Sequence, residues 1–205
     1  REPSTSRSEG CSSLAPGSGA VGEHEDRDKG EAMSWQPVGK VVYIGADGDD
    51  MGSHVARFIL RNDLKSARKL SLTIHRGEAA IEKYAARVLR GRFVIAGGDD
   101  MLIRAPASTC APDSIEKMRA LYQRVTGGHT ITVGVGETME DASKALTIGK
   151  NTGKNKTVYW TPDKQPLYKK LVAARCNALI TKCREQGGLP EARRFVRIRV
   201  PHLSE

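Results

Sequence analysis

Two acidic turns, each next to an apolar run, are the residues most suited to chemistry. Asp47-Gly48-Asp49-Asp50 follows the run 38–44, and Gly97-Gly98-Asp99-Asp100 lies between the runs 92–96 and 101–104. Carboxylates held together at one edge of a sheet repel each other unless a cation is present. Mg²⁺ prefers such hard oxygen ligands, and two ions can activate a hydroxyl and stabilise a leaving pyrophosphate. The pattern predicts metal-assisted phosphoryl transfer, and two glycines at the hairpin tip would let a triphosphate approach the backbone.

Two lysines offer a positive counterpart to the carboxylates. Lys150 and Lys154 lie four residues apart, at the end of a predicted helix and in the Gly153 turn after it. Their ammonium groups could hold β- and γ-phosphates. Taken alone, they are more simply explained as a solvated helix end, where the helix dipole favours lysine.

Other interpretations of the acidic turns stay open. Gly-Gly-Asp-Asp could be only a polar hairpin turn. An EF-hand loop starting at Asp47 fails, because Phe58 stands where the twelfth residue should be a glutamate. A phosphatase could use Asp47 as nucleophile and Asp49 as acid/base, but Ile103 occupies the place of a further acid that this chemistry needs.

Composition and charge limit the class of protein. Hydrophobic residues make up 39% and charged residues 28% of 205, so a sizeable core can be buried. Residues 1–34 carry four basic and seven acidic side chains, a net charge of −3. Because the whole chain has a net charge of +9, the remaining residues carry +12. A basic body suits a nucleotide or a nucleic acid. With only 5% aromatic residues, a stable nucleic-acid partner is not expected.

Cysteine spacing and hydropathy predict a reduced, cytoplasmic protein. The four cysteines show no metal-binding spacing, and neither a secretory signal nor direct membrane insertion is expected. Residues 1–34 are expected to be a disordered or added segment, with Met33 as a candidate natural start. A folded domain is expected over 35–160, and 161–205 as a helical extension with a basic tail.

The apolar pattern predicts the element order β-α-α-β-β-α-β-α-β, followed by a further helix. The long helix over 64–89 is expected to be interrupted near Gly77. Parallel crossovers combined with a hairpin indicate an α/β fold, with helices flanking a mostly antiparallel sheet.

In order and spacing, four motifs resemble those of GGDEF-type nucleotide cyclases. They are the Asp47 turn, the Gly-Gly-Asp-Asp hairpin, the strand Thr130–Gly136 and the turn from Lys150 to Asn155. Over residues 38–160 the chain is most similar to the minimal CRISPR polymerases. That resemblance implies a ferredoxin-like palm domain acting as a homodimer, with two triphosphates meeting between facing active sites. It also implies two Mg²⁺ or Mn²⁺ ions per site.

The resemblance further implies a role for each site residue. Asp47 and Asp99 would be carboxylate metal ligands assisted by the Gly48 carbonyl, and Asp100 would support the metal or the attacking hydroxyl. The nucleotide-binding positions would be Asp49, Asp50, Gly97, Gly98, Lys150, Lys154 and Asn155. The chain departs from the diguanylate cyclases at two places: Asp100-Met101 replaces their Glu-Phe, and the region near Val55 lacks their guanine-reading Asn. ATP is therefore the favoured substrate.

The implied activity is condensation of triphosphates into a cyclic di- or oligonucleotide that controls a separate, often membrane-bound, effector in antiphage defence. Three alternatives remain at this point: a triphosphate hydrolase or cyclohydrolase on the same fold, a non-catalytic nucleotide sensor, and a nucleic-acid-binding protein suggested by the basic body.

Overall fold

The computed structural model describes residues 35–185, which form a five-stranded sheet with helices on both faces. The strands are β1 (Val41–Gly48), β2 (Arg92–Gly97), β3 (Asp100–Pro106), β4 (Ile131–Gly136) and β5 (Thr157–Tyr159). The helices are α1 (Met51–Leu60), α2 (Leu64–Arg87), α3 (Pro112–Val125), α4 (Met139–Asn151) and α5 (Gln165–Glu185). This order confirms the predicted alternation of elements. The expected N-terminal segment and basic tail lie outside the described residues.

Strand order in the sheet is β2-β3-β1-β4-β5, with β1 at the centre. β1 pairs antiparallel with β3 and β4, β2 and β3 form a hairpin, and β5 pairs parallel with β4. The first four strands therefore make two interleaved β-α-β units in an antiparallel sheet, which confirms the predicted α/β palm class. This topology brings the end of β1 next to the turn between β2 and β3.

The main core lies between the sheet and the pair α2 and α3. Val42 and Ile44 of β1 are fully buried there, against Ile81 of α2 and Ile115 and Met118 of α3. Because side chains alternate along a strand, Tyr43, Gly45 and Asp47 point to the opposite face. The core thus fixes which side of β1 carries the carboxylate of Asp47.

The predicted interruption of the second helix at Gly77 is wrong, since α2 runs unbroken from Leu64 to Arg87. Gly77 is buried, and a Cβ there would lie 2.6 Å from Cε2 of Tyr122. The missing side chain makes room for the Tyr122 ring of α3, so this glycine serves helix packing. Periodicity alone does not distinguish that use from a break.

Helix α4 lies unusually close to the other face of the sheet because two glycines of β4 face it. A Cβ on Gly134 would lie 2.2 Å from the Leu146 nitrogen, and one on Gly136 would lie 2.5 Å from the Ala142 nitrogen. The helix begins after Thr138, whose hydroxyl accepts a hydrogen bond from the Asp141 amide. This close packing carries Lys150, in its last turn, to the end of β1.

Helix α5 packs on the outer side of α4, where Tyr168 and Leu171 contact the cluster of Ala145, Ile148 and Val158. Within residues 35–185, no helix combines the length and the apolar character needed to cross a membrane.

Candidate active site

Lys150 holds the end of β1 through three oxygen atoms. Its Nζ lies 3.1 Å from Oδ2 of Asp47, donates to the Gly48 carbonyl at 2.6 Å, and lies 3.0 Å from Oδ1 of Asp49. The side chain is only 18% exposed. The ammonium group therefore occupies the centre of the first acidic turn and neutralises part of its charge.

Asp49 is buried beneath this turn and both of its carboxylate oxygens accept hydrogen bonds. Oδ1 accepts from the Thr132 hydroxyl at 2.7 Å, while Oδ2 accepts from the Thr130 hydroxyl at 2.8 Å and from the Asn155 amide at 2.9 Å. Burial by itself raises the pKa of Asp49, but the donors, led by Thr132, hold it below its ordinary value. Asp49 thus joins β1, β4 and the turn after α4.

The second lysine lies on the outer rim of the site. Nζ of Lys154 donates to Oδ1 of Asp50, and this hydrogen bond raises the pKa of Lys154. Arg119 of α3 donates to both the carbonyl and Oδ1 of Asn155. Lys154 and Asn155 are thereby fixed from two sides, by Asp50 and Asp49 on one and by Arg119 on the other.

The two acidic turns meet at Gly48 and Asp99. A Cβ on Gly48 would lie 2.8 Å from Cβ and 2.9 Å from Oδ2 of Asp99, so the Asp99 side chain rests on the bare Gly48 backbone. Because Ala46 pairs with Met101, Asp47 and the exposed Asp100 are neighbours on the same face of the sheet. Asp47, Asp99 and Asp100 are therefore brought together, as the sequence predicts.

The carboxylates carry more negative charge than the lysines balance. Burial raises the pKa of Asp47, Lys150 opposes this rise, and the charges of Asp100 and Asp99 add to it. Burial, together with the charges of Asp99, Asp47 and Asp49, raises the pKa of the nearby Tyr122 to about 12. Such a field attracts cations.

The backbone around the site is also unusual. Asp50, Lys154 and Asn155 have φ values of 62°, 57° and 44°, a left-handed region that costs free energy for residues with a Cβ. Residues held in this way cluster at functional sites, where surrounding contacts maintain them.

A cavity of about 540 Å³ opens between α1, α2 and the end of α3. Its lining includes His54 and Phe58 of α1, Leu70 and Thr73 of α2, and His129, two residues before β4. The two imidazole rings lie 5.5 Å apart between centroids. A larger cavity of about 750 Å³ lies around Trp35 and Glu137, at the other end of β4. Its lining does not include the two acidic turns.

Comparison with known protein families gives one match over more than half of the chain. Residues 43–160 match the family model of the minimal CRISPR polymerase domain. The chain belongs to the minimal CRISPR polymerase family. Membership confirms the resemblance drawn from the motifs. No curated protein matches the chain significantly.

Two solved structures are similar to part of this minimal CRISPR polymerase chain at low identity. A Csm1–Csm4 cassette in complex with cA4 is 19% identical, with a TM-score of 0.45 over 62% of this chain and 21% of that one. The diguanylate cyclase SiaD of Pseudomonas aeruginosa, solved with its activator SiaC, is 20% identical, with a TM-score of 0.43 over 65% and 55%. The chain thus spans about a fifth of the first relative's length.

The donor atoms of this minimal CRISPR polymerase site fit a divalent metal ion by their chemistry. Within residues 35–185, no three His, Cys, Asp or Glu side chains are already arranged to hold a metal. The oxygens of Asp47, Asp99, Asp100 and the Gly48 carbonyl are nevertheless the hard donors that Mg²⁺ prefers. The ammonium group of Lys150 lies beside the Asp47 carboxylate and the Gly48 carbonyl and contributes a positive charge there.

The remaining predicted positions lie nearby. Gly97 and Gly98 belong to the hairpin, where Gly98 has a φ of 76° and open space around it. Sequence reasoning missed Thr130, Thr132 and Arg119. The Thr-Ile-Thr spacing was a usable signal, because residues two apart on a strand share a face. Nothing in the sequence pointed to Arg119, whose partner is 36 positions away.

Proposed function

We propose that this chain is a Mg²⁺- or Mn²⁺-dependent nucleotidyltransferase that condenses nucleoside triphosphates into a cyclic di- or oligonucleotide. The observation that carries the proposal is the meeting of the two acidic turns at Gly48, with Lys150 within 3.1 Å of Asp47. Asp47, Asp99, Asp100 and the Gly48 carbonyl would hold two metal ions. When bound, these would lower the pKa of the attacking hydroxyl and stabilise negative charge on the phosphates.

The reaction joins two triphosphates through one new phosphodiester bond. A ribose hydroxyl oxygen of one nucleotide attacks the α-phosphorus of another, the bond to the bridging α–β oxygen breaks, and pyrophosphate leaves. The hydroxyl proton passes to a base, for which the exposed carboxylate of Asp100 is placed beside Asp47. A second, identical step closes the ring of a cyclic dinucleotide and releases a second pyrophosphate.

The triphosphate would be held by the lysines and by the start of α1. Helix α1 begins at Met51 with no side-chain cap and no acidic residue in its first turn, so its amide groups suit an anion. Lys154 is on the rim, and among residues 35–185 it forms its ion pair with the exposed Asp50. Exchange of that partner for a phosphate would free Lys154 to bind the β- and γ-phosphates, and Lys150 would neutralise the α-phosphate.

The base would enter the cavity lined by His54, Phe58 and His129. Phe58 offers an apolar surface, while Thr73 and the two imidazoles offer hydrogen-bonding groups. This mixed lining accommodates a purine, and ATP is favoured. We further propose that two chains act as a homodimer in the cytoplasm with their sites facing, and that the product binds a separate effector in antiphage defence.

Incubation with each labelled triphosphate and Mg²⁺ or Mn²⁺ tests the proposal. The matched variant is Asp99→Asn together with Asp100→Asn, which keeps the side-chain shapes and removes two charges. Wild type should release pyrophosphate and form a phosphatase-resistant product from ATP, and the variant should form neither. The control Asp113→Asn changes a carboxylate on α3, away from the site, and should leave the product unchanged.

Two other outcomes would assign a different function. Release of phosphate or an opened base without any phosphodiester would indicate a hydrolase or cyclohydrolase on the same fold. Nucleotide binding with no chemical change under either metal would indicate a sensor.

A further inference from the structure

One face of β3 and β2 stays open beside the carboxylates, next to the part of β1 that α4 covers. Asp100, Leu102 and Arg104 point to this face, because alternate residues of a strand share a side. Their burial agrees with the alternation, since Met101, Ile103 and Ala105 between them are buried under α2 and α3. Helix α4 packs mainly against β4, β1 and β5, so the part over β2 and β3 is exposed.

Strand pairing arranges this open face in three rows. The first contains Asp47 and Asp100, beside Gly97. The second is apolar, with Gly45 and Leu102 paired across β1 and β3 and Ile95 paired with Leu102 from β2; Ile95 is 55% exposed. In the third row Arg104 lies between Tyr43 and Arg92.

A β-bulge between the last two rows produces this alignment. The register of β2 shifts between Phe93 and Ile95, so Arg92 faces Arg104 and Ile95 still faces Leu102. Bulges commonly re-aim side chains next to active sites.

Arg92 and Arg104 form a directly opposed pair of like charges. Such cross-strand pairs are destabilising unless something neutralises them. Among residues 35–185, neither arginine forms an ion pair. Asp141 of α4 lies over Gly136, which pairs with Tyr43, and Asp141 forms an ion pair with neither guanidinium. The pair therefore presents two guanidinium groups that have no acidic partner among the described residues.

We propose that Tyr43, Arg92 and Arg104 bind a phosphate group of a second nucleotide, whose apolar part rests on Leu102 and Ile95. This site is distinct from the triphosphate site at Lys150 and Lys154. The inference rests on the proposed function in one respect, namely that the second nucleotide is a substrate or product of that reaction.

The spacing suits a nucleotide that reaches the reaction centre. Arg104 lies four residues from Asp100, about 13 Å along β3, and its long side chain shortens that gap. Guanidinium groups bind phosphate through paired hydrogen bonds, and the phenol of Tyr43 can donate another. A nucleotide with its phosphate here can point its sugar towards Asp100 across the apolar row. The second nucleotide would then be the one that supplies the hydroxyl, or the finished cyclic product held after closure.

Binding of a non-hydrolysable ATP analogue, with a methylene group between the α- and β-phosphates, tests the site by equilibrium dialysis with Mg²⁺. Wild type should bind two analogues per chain. Arg92→Gln with Arg104→Gln should lose one of them, with at least a roughly tenfold weaker affinity, because each charge-assisted contact contributes strongly. The control Arg68→Gln with Arg76→Gln removes the same charge from exposed positions of α2 and should keep both.

A parallel titration with 3′,5′-cyclic di-AMP separates the two sources of the phosphate. Arginine-dependent binding of the analogue assigns a substrate nucleotide, and arginine-dependent binding of the cyclic probe alone assigns a returning product. Either result supports the site, whereas identical binding of both probes to wild type and the arginine variant overturns it. Because no turnover is needed, a wild type that binds in this way but forms no product would contradict only the proposed function.

Discussion

At the scale of single residues, the site depends on a carboxylate that is not exposed to substrate. Asp49 accepts four hydrogen bonds, from Thr130, Thr132, Lys150 and the Asn155 amide. Both of its oxygens are therefore used within the protein. We assign it the role of positioning Lys150 and the Asn155 turn, while Asp47 keeps an oxygen available to ligands.

Asp49→Asn tests this role. The new amide NH2 group would face donors from which the Asp49 carboxylate now accepts, so the free energy of unfolding should fall by about 2–4 kcal/mol. Urea denaturation followed by circular dichroism measures the change. The matched control Asp50→Asn alters an exposed carboxylate and should change stability little. Equal stabilities for the two variants would contradict the positioning role.

A second residue-scale prediction concerns acid sensitivity. Burial, and then the neighbouring His54, lower the pKa of His129, so the folded protein holds this imidazole neutral. The unfolded chain binds the proton more readily, and stability is therefore lost as the pH falls through about 6.5, the ordinary histidine value. His129→Gln should flatten the fall in unfolding free energy between pH 7 and pH 5.5. The control His75→Gln, at an exposed position, should retain the wild-type slope. If His129→Gln also retains that slope, the pKa of His129 is not lowered in the folded protein.

Much of the residue-scale chemistry could be predicted from the sequence, because acidic turns next to apolar strands are local signals. Asp47, Asp99, Asp100 and Lys150 were found in that way. The burial of Asp49 was not predicted, since it depends on donors more than 80 positions away, in β4 and just before it. A carboxylate that binds substrate and one that stabilises the fold look alike in sequence.

At the scale of elements, the contact between α4 and the sheet sets the position of Lys150. Gly134→Ala would place a Cβ 2.2 Å from the Leu146 nitrogen and 2.3 Å from the Ala142 carbonyl oxygen. These are backbone atoms, so the whole helix must move. We expect a loss of about 1–3 kcal/mol in unfolding free energy, measured by chemical denaturation. The control Gly52→Ala meets no atom within 4 Å and should be neutral or slightly stabilising.

Helix α3 holds the turn after α4 through one side chain, that of Arg119. Arg119 fixes Asn155, so Arg119→Ala should release the turn that carries Lys154. We expect roughly tenfold weaker binding of the ATP analogue with a near-native circular dichroism spectrum, as a charge-assisted hydrogen bond is lost. Arg124→Ala, in the last turn of the same helix, is the matched control. Unchanged affinity in Arg119→Ala would show that the turn holds without it.

Element order was predictable because hydrophobic periodicity reports helices and strands directly. The details of side-chain packing were harder to predict. Gly77 looked like a helix break, yet it accommodates a ring, and the bulge in β2 left no mark in the pattern. Both features depend on partners far along the chain.

At the scale of the whole molecule, the fold leaves its reactive edge and the adjoining sheet face exposed together. Asp100 and Arg104 are exposed on the face where Asp47 lies. Two nucleotides must meet at this surface for the proposed reaction, and a second copy of the chain with its site opposed would enclose them. The proposed homodimer would close the site in this way.

Mixing wild type with an inactive chain tests the dimer. The Asp99→Asn, Asp100→Asn variant should pair with wild type and leave each mixed dimer with one complete site. If two facing sites are required, an equal mixture should contain about a quarter wild-type pairs, and product per wild-type chain should fall by about half. Specific activity should also rise with protein concentration. A control mixture of wild type with an unrelated folded protein should show no fall. If the inactive chain has no effect at any ratio, each chain acts alone, and the open face must take both nucleotides from solution.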